Sequence, residues 1–136
     1  MPSLFMRTRA AHLRLGRRGE DIACRLLESK GHEILARNYR KGRWELDIVA
    51  RDGLNLVFVE VKTRRGKSSG RPAAGLSQGQ KYRIYRAALS YMREIGKPAI
   101  PYRFDLIELM FEGRKLVELR HWLRHFGRES VTRSSS

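Results

Sequence analysis

Asp47, Glu60 and Lys62 are the residues whose types and spacing point most directly to chemistry. They lie in WELDIVARDGLNLVFVEVK, residues 44–62, where two runs of strand character flank Asp52-Gly53, a dipeptide suited to a tight hairpin. Strand side chains alternate, so Leu46, Ile48 and Ala50 are expected on one face, and Glu45, Asp47 and Val49 on the other. In the second run Val57, Val59 and Val61 share a face, and Leu56, Phe58, Glu60 and Lys62 share the opposite one. A loop of two or four residues pairs position 50 with 55 and 45 with 60. Asp47 then lies opposite Phe58, with Glu60 its diagonal neighbour and the Cβ atoms roughly 7–8 Å apart, near enough for both carboxylates to reach one ion. An odd-length loop with a bulge would break this parity.

Charge on a half-buried strand costs several kcal/mol, roughly, unless it is paired or bound to metal. A structural ion pair, or a strand end dipping into solvent, is the plain account of these residues. The chemical account is hydrolysis of a phosphodiester. Hard cations such as Mg²⁺ prefer carboxylate oxygens. Asp47 and Glu60 can supply two, with the Val61 carbonyl as a third ligand. Such an ion polarises a phosphate and helps deprotonate water. Lys62 can orient the nucleophile or offset charge that develops in the transition state.

Composition favours a polyanionic partner. The chain of 136 residues has 29 Lys and Arg against 14 Asp and Glu, a net charge of +15 and a pI near 11. Nucleic acid ranks ahead of an anionic membrane surface. Hydrophobic content of 41% fits one globular domain. No apolar run approaches the ~20 residues of a membrane span, and the arginine-rich start lacks the apolar core of a secretory signal. The single cysteine, Cys24, allows neither an internal disulfide nor a cysteine zinc cluster. A reducing cytoplasm is the expected compartment.

The elements that must position these residues follow in order. Residues 1–13 read as a basic arm, flexible or weakly helical. From about Leu15 to Ser29 the spacing predicts a helix, with Gly19, Ile22, Ala23, Leu26 and Leu27 on one face and Glu20 roughly 90° away at its edge. Glu20 is either a satisfied surface glutamate or the holder of a second ion or a metal-bound water. Gly31 ends that helix. His32 to Arg40 reads as a first strand, and Lys41, Gly42 and Arg43 as a basic turn; His32 reads as structural or surface. The loop after Lys62 carries Arg64, Arg65, Lys67 and Arg71, either as a solvated connection or to close over a phosphate backbone. Ser77-x-x-Gln80 announces a second helix to about Ile95, its buried stripe Ile84, Ala88, Tyr91 and Ile95. Lys81, one turn before Ile84, points toward the sheet or to solvent. A strand from Tyr102 to Met110, a short return strand from Leu116 to Leu119 and a helical turn from His121 to Phe126 complete a domain over 14–126. The tail 127–136 reads as disordered. A helical crossover after a hairpin implies a mixed sheet covered by helices. Arg17, Arg18, Arg40, Arg64, Arg65, Lys67 and Arg71 are the candidate phosphate contacts, holding a backbone without reading its bases.

Glu20, Asp47 and Glu60-Val61-Lys62, in an α-β-β-β-α-β order, resemble the PD-(D/E)XK nuclease superfamily. More narrowly, the chain is similar to the YraN family of bacterial proteins across roughly residues 15–126. The matching segments are Gly16 to Glu20 (GRRGE), Arg37-Asn38, Glu45 to Asp47 (ELD), Phe58 to Arg64 (FVEVKTR), Lys81 and Arg103 to Leu106 (RFDL). The resemblance implies an α/β fold with a restriction-endonuclease-like αβββαβ core, a mixed sheet flanked by helices. It implies Glu20, Asp47 and Glu60 as metal-site acids, Lys62 as catalytic lysine, and Glu45 and Lys81 as auxiliaries. It also implies Mg²⁺ or Mn²⁺ as cofactor, DNA before RNA as substrate, branched or damaged DNA included, and a homodimer like the archaeal Holliday-junction resolvases. Trp44 departs from the family, which usually has glycine before Glu45. The expectation is a Mg²⁺-dependent endonuclease. The alternative is a non-catalytic nucleic-acid-binding protein with the same fold. A structural or ribosome-associated basic protein would leave the inward acids unexplained.

Overall fold

A computed structural model describes residues 4–66 and 75–131. The order is α1 (Leu4–Ser29), β1 (Glu33–Lys41), β2 (Trp44–Asp52), β3 (Asn55–Arg65), α2 (Gln78–Glu94), β4 (Tyr102–Glu112) and β5 (Lys115–Phe126). A short 3₁₀ turn, Arg128–Ser130, follows. The strands form one sheet in the order β1-β2-β3-β4-β5. Neighbours are antiparallel except β3 and β4, which run parallel because α2 carries the chain across between them.

The two helices cover opposite faces. On one, Leu15, Ala23, Cys24 and Leu27 of α1 pack with Ile48, Ala50, Val57, Val59, Ile107 and Phe111. On the other, Ile84, Ala87 and Ala88 of α2 pack with Leu46, Val49, Phe58, Phe104 and Phe126. Gly19 brings α1 down on β3, since a Cβ there would lie 2.3 Å from Thr63 Oγ1. The α2 start is the expected capping box: Gln80 N–H donates to Ser77 Oγ at 3.1 Å, and Ser77 N–H to Gln80 Oε1 at 2.8 Å. Of its expected stripe, Ile84 and Ala88 are buried and Tyr91 partly so, whereas Ile95 is exposed past the last turn.

Several expectations shift. Helix α1 runs from Leu4, so the segment read as a basic arm is helical over its described residues. The hairpin loop is Gly53-Leu54, and Ala50 pairs with Val57, not with 55. Gly53 has φ +60, so the loop starts where glycine alone meets no Cβ penalty, and the register moves by two residues. The parity survives: Asp47 comes across from Glu60 itself, just beyond the last ladder pair, Ile48 with Val59. Leu46 does not share a face with Ile48; it packs on the α2 side with Val49. The strand therefore changes phase at Asp47, beside Asn38 of β1, itself left-handed at φ +52. His121 to Phe126 is strand, not helix. Trp122, Leu123 and Phe126 have helical spacing, but pairing with β4 decides the backbone, leaving Trp122 and Leu123 partly exposed at the sheet edge. The tail begins with a bonded turn, Ser130 Oγ donating to the Gly127 carbonyl at 2.9 Å, and Val131 packs on the α2-side core. Residues 132–136 lie outside the described residues.

A buried polar network ties the far end of the α1 face. Arg103 Nε reaches Asp105 at 3.1 and 3.3 Å, its Nη1 reaches Asp52 at 3.1 Å, and its Nη2 meets His32 Nε2 at 3.2 Å. Asp105 also binds His121 Nε2 at 2.8 Å and accepts from Arg124 N–H at 3.0 Å. His32 is thus structural, as its lack of ligand-spaced partners implied.

Candidate active site

Asp47 sits where β2 and β3 part. With no ladder partner there, the Val61 N–H donates to Asp47 Oδ2 at 2.8 Å. The side chain thus replaces a missing backbone acceptor and locks its own rotamer. Glu60, across from it on the neighbouring strand, is close enough for the two carboxyls to couple electrostatically. Two carboxyl groups so placed cannot both ionise cheaply. Burial first, then the bond and charge of Asp47, push the Glu60 carboxyl far above the usual carboxylate range, and Glu45 adds to the rise. Lys62 opposes it, its Nζ 3.9 Å from Glu60 Oε2.

Glu20 approaches from α1. Burial and the Asp47 charge raise its carboxyl, while Arg37 and an Asn38 side-chain bond pull it down. With the Asn38 amide nitrogen turned toward it, that amide donates to both Glu20 oxygens at 3.2 Å. Asp47 is thus coupled to Glu20 on the α1 side and to Glu60 on β3. Glu20 opens onto a recess shared with Gly16, Arg17 and Asn38. Glu60 and Lys62 open onto another, about 260 Å³, beside Glu45, Gln80, Arg43 and Arg83.

The other expected residues are dispersed. Glu45 lines the Glu60 recess and pairs with Arg40 at 2.9 Å. Lys81 does not join the acids; its ammonium lies 5.8 Å from the centre of the Phe126 ring, toward β5. From α2, Gln80, Arg83 and Ile84 line the recess instead. Arg17 flanks Glu20, Arg18 and Arg65 line a separate cleft, and Arg64 reaches Glu108 at 3.7 Å. Lys67 and Arg71 lie outside the described residues. Trp44 is pinned by Tyr82 and by the guanidinium groups of Arg43 and Arg86, so it anchors β2 to α2.

Arg43, Arg83 and Glu108 are absent from the sequence-based set. Arg43 read as a turn residue, and nothing in its spacing singled out Arg83. Glu108 pairs in register with Lys62 across the parallel strands and accepts from Trp122 Nε1 at 2.9 Å. Only the β3–β4 register brings it there.

Among the described residues, no group of three or more His, Cys, Asp or Glu side chains lies close enough to hold a metal ion. The Asp47–Glu60 pair nonetheless fits a divalent cation by its chemistry. It offers oxygen donors from two neighbouring carboxyls, one disfavoured in its charged form until a positive charge joins them.

Two helices around a five-stranded mixed sheet, in the order αβββαββ, with acids and a lysine where β2 and β3 part, define an α/β protein of the restriction-endonuclease-like type. Residues 19–109 match the family described as "Uncharacterised protein family UPF0102". The chain belongs to that family, the YraN family anticipated above. It is 46% identical over 96 residues to a UPF0102 protein of Chlorobaculum tepidum, covering 71% of this chain and 74% of that one. It is 39% identical over 112 residues to a UPF0102 protein of Rhodococcus jostii, covering 82% and 95%. A UPF0102 protein of Symbiobacterium thermophilum is 42% identical over 96 residues, covering 71% and 81%. No helix among the described residues is long and apolar enough to cross a membrane.

Proposed function

We propose that this protein hydrolyses phosphodiester bonds of nucleic acid, DNA before RNA, with a divalent cation. The observation that carries the reading is Asp47 across from Glu60 where β2 and β3 part, with Lys62 3.9 Å from Glu60 and Arg43 and Arg83 lining the recess that Glu60 and Lys62 share. Asp47 and Glu60 would hold Mg²⁺ or Mn²⁺, with the Val61 carbonyl and Glu20 as further oxygen donors. The cation, when bound, supplies Lewis-acid polarisation of the phosphate.

The chain's own groups do the rest. The Val61 N–H fixes one Asp47 oxygen, which orients the carboxyl for a cation shared with Glu60. Glu60, whose charged form burial and Asp47 disfavour, would bind that cation as the carboxylate. Lys62 sits within reach of Glu60 to orient the attacking water or to offset charge on the phosphoryl oxygens. Arg43 and Arg83 hold the flanking backbone by charge. Glu45 tempers the field and keeps Arg40 in place.

The test is cleavage of linear, flap and junction DNA with and without Mg²⁺ or Mn²⁺. Asp47→Ala and Lys62→Ala are each expected to abolish cleavage while binding persists. Salt-sensitive binding with no cleavage on any substrate would favour the second reading, a non-catalytic binder. That reading draws on the Glu20 carboxyl opening onto a different recess from Glu60.

A further inference from the structure

Four arginines converge away from the acids. The cleft between the N-terminal half of α1 and the β4–β5 turn is lined by Arg14, Arg18, Arg65 and Arg114, with Leu15 and Gly113. It measures about 590 Å³, and no carboxylate is among its lining residues. Arg18 is held in place: its guanidinium lies 5.0 Å over the Phe111 ring, and its Nη1 donates to the Arg114 carbonyl. Gly113, at φ +59, makes the tight turn that presents Arg114. Arg65 ends β3 one residue beyond Arg64 and so faces α1, on the side where Thr63 meets Gly19.

Like charges around one opening repel unless an anion joins them, and guanidinium forks match phosphate oxygens bidentately. One free phosphate would engage one or two forks; four around a cleft of this size suit successive backbone phosphates. A lipid surface is the poorer fit. The cleft is concave, and of its apolar lining residues Leu15 is buried and Ala11 is a single methyl, so its lining offers no large apolar side chain to a bilayer. Residues 13–20 of α1 divide the arginine cleft from the Glu20 recess. A helix is about 10 Å across, so a strand crossing α1 would place the two recesses roughly three base-pair steps apart, at 3.4 Å per step.

We propose that this cleft is a second nucleic-acid contact, which grips backbone phosphates on the α1 face apart from the candidate active site. It rests on the nucleic-acid reading above but not on hydrolysis. The test is the double variant Arg14→Gln/Arg114→Gln, with binding of a short labelled DNA duplex followed by anisotropy from about 50 to 200 mM salt. Affinity is expected to fall roughly ten-fold or more, and the slope of log K against log[salt] to lose about 1.8, two contacts at about 0.9 each. Arg14→Lys/Arg114→Lys, which keeps the charge, is expected to restore most of the slope. Arg25→Gln/Arg93→Gln removes two exposed charges elsewhere and is the control. An unchanged slope, or one altered equally by the control, overturns the proposal. So does loss of binding to phosphatidylserine vesicles with DNA binding intact. A parent that binds no DNA overturns it together with the nucleic-acid reading. A parent that shows the slope response but cuts nothing supports the cleft while ending the case for hydrolysis.

Discussion

Glu60 is costly to ionise where this fold places it. Its raised carboxyl pKa means that the folded chain holds a proton which the unfolded chain releases near the ordinary value of 4.5. Its contribution to stability is therefore full below that value and is lost as pH rises toward the folded pKa. Glu60→Gln removes the burden. In metal-free buffer its melting temperature is expected to fall less between pH 5 and 8 than the parent's, and to match or exceed the parent's at pH 8. Added Mn²⁺ is expected to raise the parent's melting temperature and leave that of Glu60→Gln unmoved. Equal metal-induced shifts for both proteins would remove Glu60 from the ligands.

At the scale of elements, the coupling of Glu20 to Asp47 depends on how closely α1 approaches β3. Gly19 permits that approach over Thr63, and Glu20 is the next residue along the helix. Gly19→Ala is expected to cost about 1–3 kcal/mol, since the helix must lift or Thr63 must turn away. Removing the Thr63 hydroxyl relieves the clash, because the Thr63 Cβ lies at a tolerable 3.4 Å. Gly19→Ala/Thr63→Ala is thus expected to recover stability relative to the sum of the single changes. A double-mutant cycle by urea denaturation measures this coupling, and strict additivity would refute the close packing as its cause. The phase change at Asp47 is an element-level device of the same kind: β2 gives up one ladder position so that a side chain can occupy it.

For the molecule as a whole, Asp105 joins the ends of several elements. Through Arg103, His121 and the Arg124 N–H it links β4 to β5, and through Arg103 to His32 and the β2–β3 hairpin. Burial alone would raise its carboxyl, but bonds from His121, Arg124 N–H and Arg103 outweigh it and hold the group below the ordinary 3.8. Its stabilisation is therefore present above 3.8 and is lost as pH falls through the depressed folded value. Asp105→Asn is expected to cost about 3–5 kcal/mol near neutrality, because it removes the fully buried anion that Arg103 and His121 share and leaves Arg103 only the half-exposed Asp52. The gap between variant and parent should close as pH drops below 3.8. Thermal melts across that range measure it, and a gap independent of pH would show that the carboxylate charge contributes nothing. The +15 net charge acts at this scale too, as a long-range field that favours polyanions over other partners.

Much of this was legible in residue types and spacing alone. The helical face of Gly19, Ala23 and Leu27, the capping box at Ser77 and Gln80, the hairpin around Gly53 and the shared side of Asp47 and Glu60 are local consequences of backbone periodicity and of φ preferences. Such patterns need no knowledge of what lies across the fold. Tertiary structure alone decided the rest. The two-residue register shift, the turning of Asp47 into the gap between strands, Lys81 leaning to Phe126 and Glu108 arriving beside Lys62 all depend on which strand lies next to which. So does the second half of β5, where Trp122, Leu123 and Phe126 have helical spacing but take the conformation that satisfies the open edge of β4. Pairing between distant segments satisfies backbone hydrogen bonds that no local sequence pattern encodes.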